Sequence, residues 1–236
     1  MDHEFQDITF PSNMPFLTPP THHNSNSNNK LHNNNINLVS YFEVTIEQMS
    51  HAIAIGIINP QKCHYLFAFD FFLGWYGESY GYHGDDGKKF YRVGLGYDFL
   101  LSPGYGAGDT IGCGLDWKLQ KIFYTKNGQF LDYAFDRVRT TTTITASNKS
   151  TTTTTTTRSD SNNDANDDGT TASTYYNTWF PAVSLTEIMS TPVRDEVSMN
   201  FGLHGSPPFQ YDLSHYDTMI RPRETTTAQT SSSGDD

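Results

Sequence analysis

The chain has 236 residues, of which 36% are hydrophobic and 17% charged, and its formal net charge is −11. No run of Lys or Arg occurs, and a polyanion-binding protein needs a clustered basic face, so nucleic acid and anionic membrane are excluded as expected partners. The longest apolar runs, residues 52–58 and 65–69, fall well short of the ~20 residues that cross a bilayer.

The thin hydrophobic content is local. Residues 21–37 are mostly Asn, Ser and His, residues 139–174 mostly Thr, Asn, Asp and Ser, and residues 225–236 are polar. Such stretches bury too little apolar surface to offset chain entropy. The reading therefore expects a disordered Asn-rich segment at 1–37, a disordered insertion at 139–174 and a disordered tail at 217–236. What remains is about 150–170 residues, one domain in size. The two cysteines, Cys63 and Cys113, form no CxxC pair, and the chain opens without a basic, apolar signal sequence. Two reduced thiols in a cytoplasmic or nuclear protein are the expectation.

In chain order, the periodicity is that of strands. Phe42, Val44 and Ile46 alternate with Glu43 and Thr45. Ile53, Ile55 and Ile57 share a face, opposite Ala52, Ala54 and Gly56, whose small size suggests close approach of another layer. Along residues 79–83, Tyr80 and Tyr82 share one face and Gly81 and His83 the other. In residues 109–116, Ile111, Cys113 and Leu115 point inward. Asn127-Gly128 accepts positive φ at both central positions, so it closes a tight hairpin between residues 122–126 and 129–135. Residues 181–185 and 196–202 alternate again, with Val197, Met199 and Phe201 inward. The best short helix candidate is 211–219. Many short strands with frequent turn signals argue for an all-β sandwich, the insertion lying in a surface loop.

The fragments SYGYHGDDGKKF (79–90), preceded by LGW, then GDTIGCGLDW (108–117), IFYTKNG (122–128), WFPAVSL (179–185), EVSMNFG (196–202) and FQYDL (209–213) follow one another in a telling order. Together with YFEVTI (41–46) they resemble the SPRY domains of the Ran-binding protein M type, over roughly residues 38–216 apart from the insertion. The resemblance implies a bent antiparallel β-sandwich of two sheets, a concanavalin-like jelly roll. It implies that loops at one edge bind peptides or domain surfaces, without catalysis and without a cofactor. Members of this subgroup often carry helical dimerisation motifs after the domain and act in ubiquitin-ligase assemblies; too few residues follow 216 for those motifs. Two stretches depart from the family pattern. The segment that precedes YFEVTI is replaced by Asn-rich sequence, with Asp7 to Phe10 as its candidate remnant, and residues 60–73 are unusually aromatic.

The acidic turn His83-Gly84-Asp85-Asp86-Gly87 raises the question of a metal or an acid–base pair. Either needs further ligands converging from elsewhere, and the other histidines have no ligand spacing. Asp and Gly are also what a tight turn prefers, so no metal or catalytic residue is expected. No GxSxG elbow occurs, and neither Gly-rich stretch precedes a helix pattern or a Lys-Ser/Thr pair. Fourteen Tyr and sixteen Phe exceed the needs of a core this size, and Trp75, Tyr76, Tyr80 and Tyr82 cluster beside the acidic turn. Tyr and Trp anchor interfaces well. By position, the peptide-binding loops of related SPRY domains fall at His51, at 85–91, at 97–105 and at 193–195. The expected partner is a protein or peptide. The expected surface set is Tyr82, Asp85, Asp86, Phe90, Tyr91 and Arg194, with the carboxylates selecting basic or amide groups and Phe90 and Tyr91 forming an apolar floor.

Overall fold

The computed structural model describes residues 5–18, 38–63, 71–99, 104–146, 171–188 and 194–216. Two antiparallel sheets face each other. The six-stranded sheet contains β1 (Phe5–Pro11), β3 (Ile53–Ile58), β4 (Ser79–His83), β5 (Lys88–Tyr91), β6 (Tyr97–Asp98) and β12 (Phe180–Ile188), in the order β1-β12-β3-β4-β5-β6. The five-stranded sheet contains β2 (Val39–Gln48), β7 (Thr110–Asp116), β8 (Lys121–Lys126), β9 (Gln129–Phe135) and β13 (Glu196–Asn200), in the order β13-β2-β7-β8-β9. A separate ribbon pairs β10 (Thr141–Ala146) with β11 (Thr171–Tyr176).

The space between the sheets is filled by the residues that alternation assigned inward. Phe42, Val44 and Ile46 meet Ile53, Ile55 and Ile57, and Ile111, Cys113 and Leu115 join them, all fully buried. Alternate residues on a strand project to opposite faces, so one strand can serve two layers. On the other face of β3, Ala52, Ala54 and Ile58 pack under Cys63, Phe71, Phe72 and Leu73. Small residues are required there because that segment lies directly on the sheet: a Cβ added at Gly81 would sit 2.3 Å from the Leu73 carbonyl oxygen. A third cluster covers the outer face of the five-stranded sheet. Tyr41 and Phe123 are capped by Tyr211 and Tyr216 from the C-terminal segment. That strap is tied down by buried acids: Glu43 accepts from the backbone N–H groups of Gln210 and Tyr211, each at 2.9 Å, and Asp116 accepts from the Tyr216 hydroxyl at 2.8 Å.

The β8–β9 hairpin turns on Asn127 (φ 51°) and Gly128 (φ 74°), the two positive φ values its sequence anticipates. Cys63 and Cys113 are both buried and free.

Three expectations need correction. The expected disordered segment 1–37 contains β1, which pairs with β12 from Phe5↔Ile188 to Pro11↔Ala182. Asp7 to Phe10 is thus a true edge strand, held because its backbone groups satisfy those of β12. The expected disordered insertion 139–174 begins with a buried Thr140 and the paired β10 and β11, so only its interior, 147–170, lies outside the described residues. The candidate helix 211–219 is a single turn, α1 (Leu213–His215), capped by the Asp212 side chain on Ser214 N. The tail from 217 lies outside the described residues.

Candidate partner-binding groove

At one edge of the sandwich, the loop before β3, the β4–β5 turn, residues 72–75 and the β1/β12 pair enclose a groove of about 280 Å³. Backbone bonds fix its frame. Gly84 N–H donates to the Ile53 carbonyl at 2.9 Å, and Tyr105 N–H donates to the Gly84 carbonyl at 3.0 Å. The fully buried Tyr105 hydroxyl is anchored to the carbonyls of Ile53 (2.9 Å) and Tyr82 (2.8 Å). Gly87, at φ 68°, lets the turn close, and Asp86 Oδ1 accepts from Lys88 N–H at 2.9 Å, the Asx pattern that Asp brings to turns.

The floor is built from residues 71–75, pinned to the sheet. Leu73 N–H donates to Ser184 Oγ at 2.8 Å, and the Thr9 hydroxyl reaches both the Phe71 carbonyl and Ser184. His83, 3% exposed, is bonded through Nε2 to the Leu73 carbonyl at 2.8 Å. A carbonyl only accepts, so Nε2 carries the proton and Nδ1 keeps its lone pair. Phe90 lies parallel to the imidazole at 3.8 Å, and Phe72 meets it edge-on at 4.7 Å. Burial drives the His83 pKa down to about 4, against the opposing pull of the Leu73 carbonyl and of Asp85 and Asp86. The ring is neutral at pH 7.

Asp7, Asp85 and Asp86 supply the groove's charge. Asp7 accepts from Thr186 Oγ1 at 2.8 Å. Asp85 and Asp86 are exposed, and among the described residues no Lys or Arg lies within ion-pair distance of any of the three carboxylates. A ring nitrogen of His83 and one oxygen each of Asp85 and Asp86 lie within 4.8 Å of one another. These are the described residues that could hold a cation, a convergence the spacing of the other histidines did not reveal. Trp75 also lines the groove, and its buried Nε1–H has no acceptor among the described residues.

Of the expected surface set, Asp85 and Asp86 are at the groove's exposed rim and Phe90 forms its wall, although Phe90 is itself 6% exposed and not a surface residue. Tyr82 is corrected outright. It is fully buried between the sheets, with Phe99, Tyr105 and Tyr124 rings at 5.1–5.2 Å, because it shares the inward face of β4 with Tyr80. Tyr91 does not join Phe90 in an apolar floor. One residue along β5, it falls on the opposite face and stacks on Tyr80 at 4.3 Å. Arg194 is exposed and lies outside the groove; its neighbour Asp195 instead takes the Ser50 N–H and hydroxyl, tying that loop to the one before β3. The groove also contains Asp7, Ala52, Phe72, Trp75 and Thr186, none of them in the expected set. Trp75 beside the acidic turn was the available signal for one of them. Asp7 and Thr186 arrive only through the β1–β12 pairing.

The sequence of residues 39–158 matches the SPRY domain family. The chain belongs to the SPRY family. SPRY domains are protein-interaction modules. Similar curated proteins include Ran-binding protein 9 of Homo sapiens, 47% identical over 98 residues (41% of this chain, 13% of that protein). The Ran-binding proteins 9/10 homolog of Drosophila melanogaster is 40% identical over 96 residues (40% and 9%). The dual specificity protein kinase splA of Dictyostelium discoideum is 39% identical over 102 residues (42% and 4%), a match confined to its SPRY part. The chain thus spans a small fraction of the length of these relatives. A crystal structure of a human SPRY domain aligns over 85% of this chain and 88% of its own, at 20% identity and TM-score 0.48.

Proposed function

We propose that this SPRY domain is a non-catalytic recognition module that docks an extended segment of another protein in the groove between His51, Trp75 and the Asp85–Asp86 turn. It would serve as an adaptor or substrate-recognition component in the cytoplasm or nucleus. The observation that carries the reading is the groove itself. Its walls are fixed by backbone and buried side-chain bonds, so little ordering entropy is spent on binding, while three carboxylates line it with no Lys or Arg in ion-pair distance among the described residues. A preformed concave site with a few convergent polar groups is the usual form of a recognition site.

The test is Asp85→Trp. Asp85 is exposed at the rim, so the substitution fills the entrance while the thermal midpoint stays within about 3 °C. Proximity labelling with wild type and variant should show partners lost from the variant. Unchanged capture would remove the groove from the reading. The resemblance of its motifs to the Ran-binding protein M type implies a second reading, a scaffold subunit of a ubiquitin-ligase-like assembly. Stoichiometric co-purification that survives Asp85→Trp would favour it.

A further inference from the structure

We propose that the groove takes an arginine side chain from the partner segment, held against its aromatic wall by Asp7, Asp85 and Asp86; this rests on the docking role above. Charge is the first ground. None of the three ionisable carboxylates at the groove pairs with a Lys or Arg among the described residues, and His83 beside them is neutral by burial. An anionic or purely apolar ligand would leave those carboxylates desolvated and unpaired, a costly arrangement. The second ground is the donor–acceptor inventory. His83, nearly wholly buried, gives its one N–H to the Leu73 carbonyl and so offers no donor to a site already rich in acceptors. A guanidinium is donor-only and carries five N–H groups, which suits such a site.

Shape separates arginine from its rivals. A guanidinium is planar, weakly hydrated and stacks on aromatic faces, and the wall here is Phe72, Trp75 and Phe90; an ammonium is a compact, strongly hydrated point charge. A divalent cation could sit between His83, Asp85 and Asp86, but hard cations take six or more oxygen ligands, and Asp7 is not part of that close group. Arginine's length lets one side chain address both. Trp75 lines the same groove, so its indole resonance reports when a segment occupies it.

The experiment is a selection of randomised peptides on the full-length chain, followed by titration of the enriched peptides. Asp85→Asn with Asp86→Asn removes the charge yet keeps an Oδ1 for the Lys88 N–H. The enriched peptides should share an arginine. Its replacement by neutral citrulline, and the double Asn variant, should each weaken binding at least about ten-fold, with losses that do not add. Of three indole N–H resonances, that of Trp75 should shift on binding. Those of Trp117 and Trp179, already donated to Ser40 Oγ and the Arg139 carbonyl, should stay. Peptides that shift Trp75 but lack arginine, or tolerate the double Asn variant, overturn the arginine assignment and leave the docking role intact. Binding abolished by EDTA and restored by calcium gives the carboxylates to a cation and likewise overturns it. No enriched peptide, or peptides that leave Trp75 unmoved, overturns both.

Discussion

His83 links the groove to the stability of the whole domain through pH. Its imidazole has a pKa of about 4 in the folded chain, against about 6.5 when exposed. Between those values the unfolded chain binds a proton that the folded chain refuses, so stability falls as pH drops and is fully present only above about 6.5. The difference amounts to about 2 kcal/mol lost by pH 5 and about 3 kcal/mol by pH 4. His83→Gln removes the titration while keeping an N–H donor for the Leu73 carbonyl. Urea unfolding followed by tryptophan fluorescence at pH 8, 6.5 and 5 reads the effect. The variant is expected to be less stable than wild type at pH 8, through lost packing on Phe90 and Phe72, with the gap narrowing by about 2 kcal/mol at pH 5. Parallel pH profiles for the two proteins would show that His83 is not held neutral, and the reasoning from burial would fail.

Glu43→Ala strands the buried N–H of Tyr211 and the partly buried N–H of Gln210, so it should cost about 2–4 kcal/mol and open residues 209–216 to limited proteolysis. A strap that stays protected would refute the clamp. Tyr82→Ala should lower stability by about 3–5 kcal/mol, the cost of a large core deletion, and should affect binding only in proportion to unfolding. A folded variant with selectively lost binding would restore Tyr82 to the interaction surface.

The two sheets were legible because alternation is local. Ile53, Ile55 and Ile57 need no partner to declare a buried face, and Asn127-Gly128 declares its own turn. The size of Ala52, Ala54 and Gly56 even announced a covering layer, which is the Phe71–Phe72–Leu73 segment. The acidic turn was legible for the same reason, as Asp85 and Asp86 sit at a loop tip whose residues choose it. The alternation along β4 was legible, but which of its faces turns inward was not, and at β5 the opposite faces of Phe90 and Tyr91 were missed. Tyr82 and Tyr91 are aromatic neighbours of an exposed turn, yet each lies on the inward side of its strand.

Composition and periodicity point to an all-β sandwich, since they record which side of each strand must leave water, and the family resemblance adds the two antiparallel sheets. They cannot record which distant segment completes an edge. β1 comes from a stretch whose polar surroundings suggest disorder, and it becomes ordered only because β12 offers it a ladder of unpaired backbone groups. That pairing carries Asp7 and Thr186 to the groove, more than 175 positions apart in sequence, and the sheet's covering layer brings Trp75 and His83 to the same place. A binding groove is a property of surfaces that meet, and only the folded chain decides which of them do.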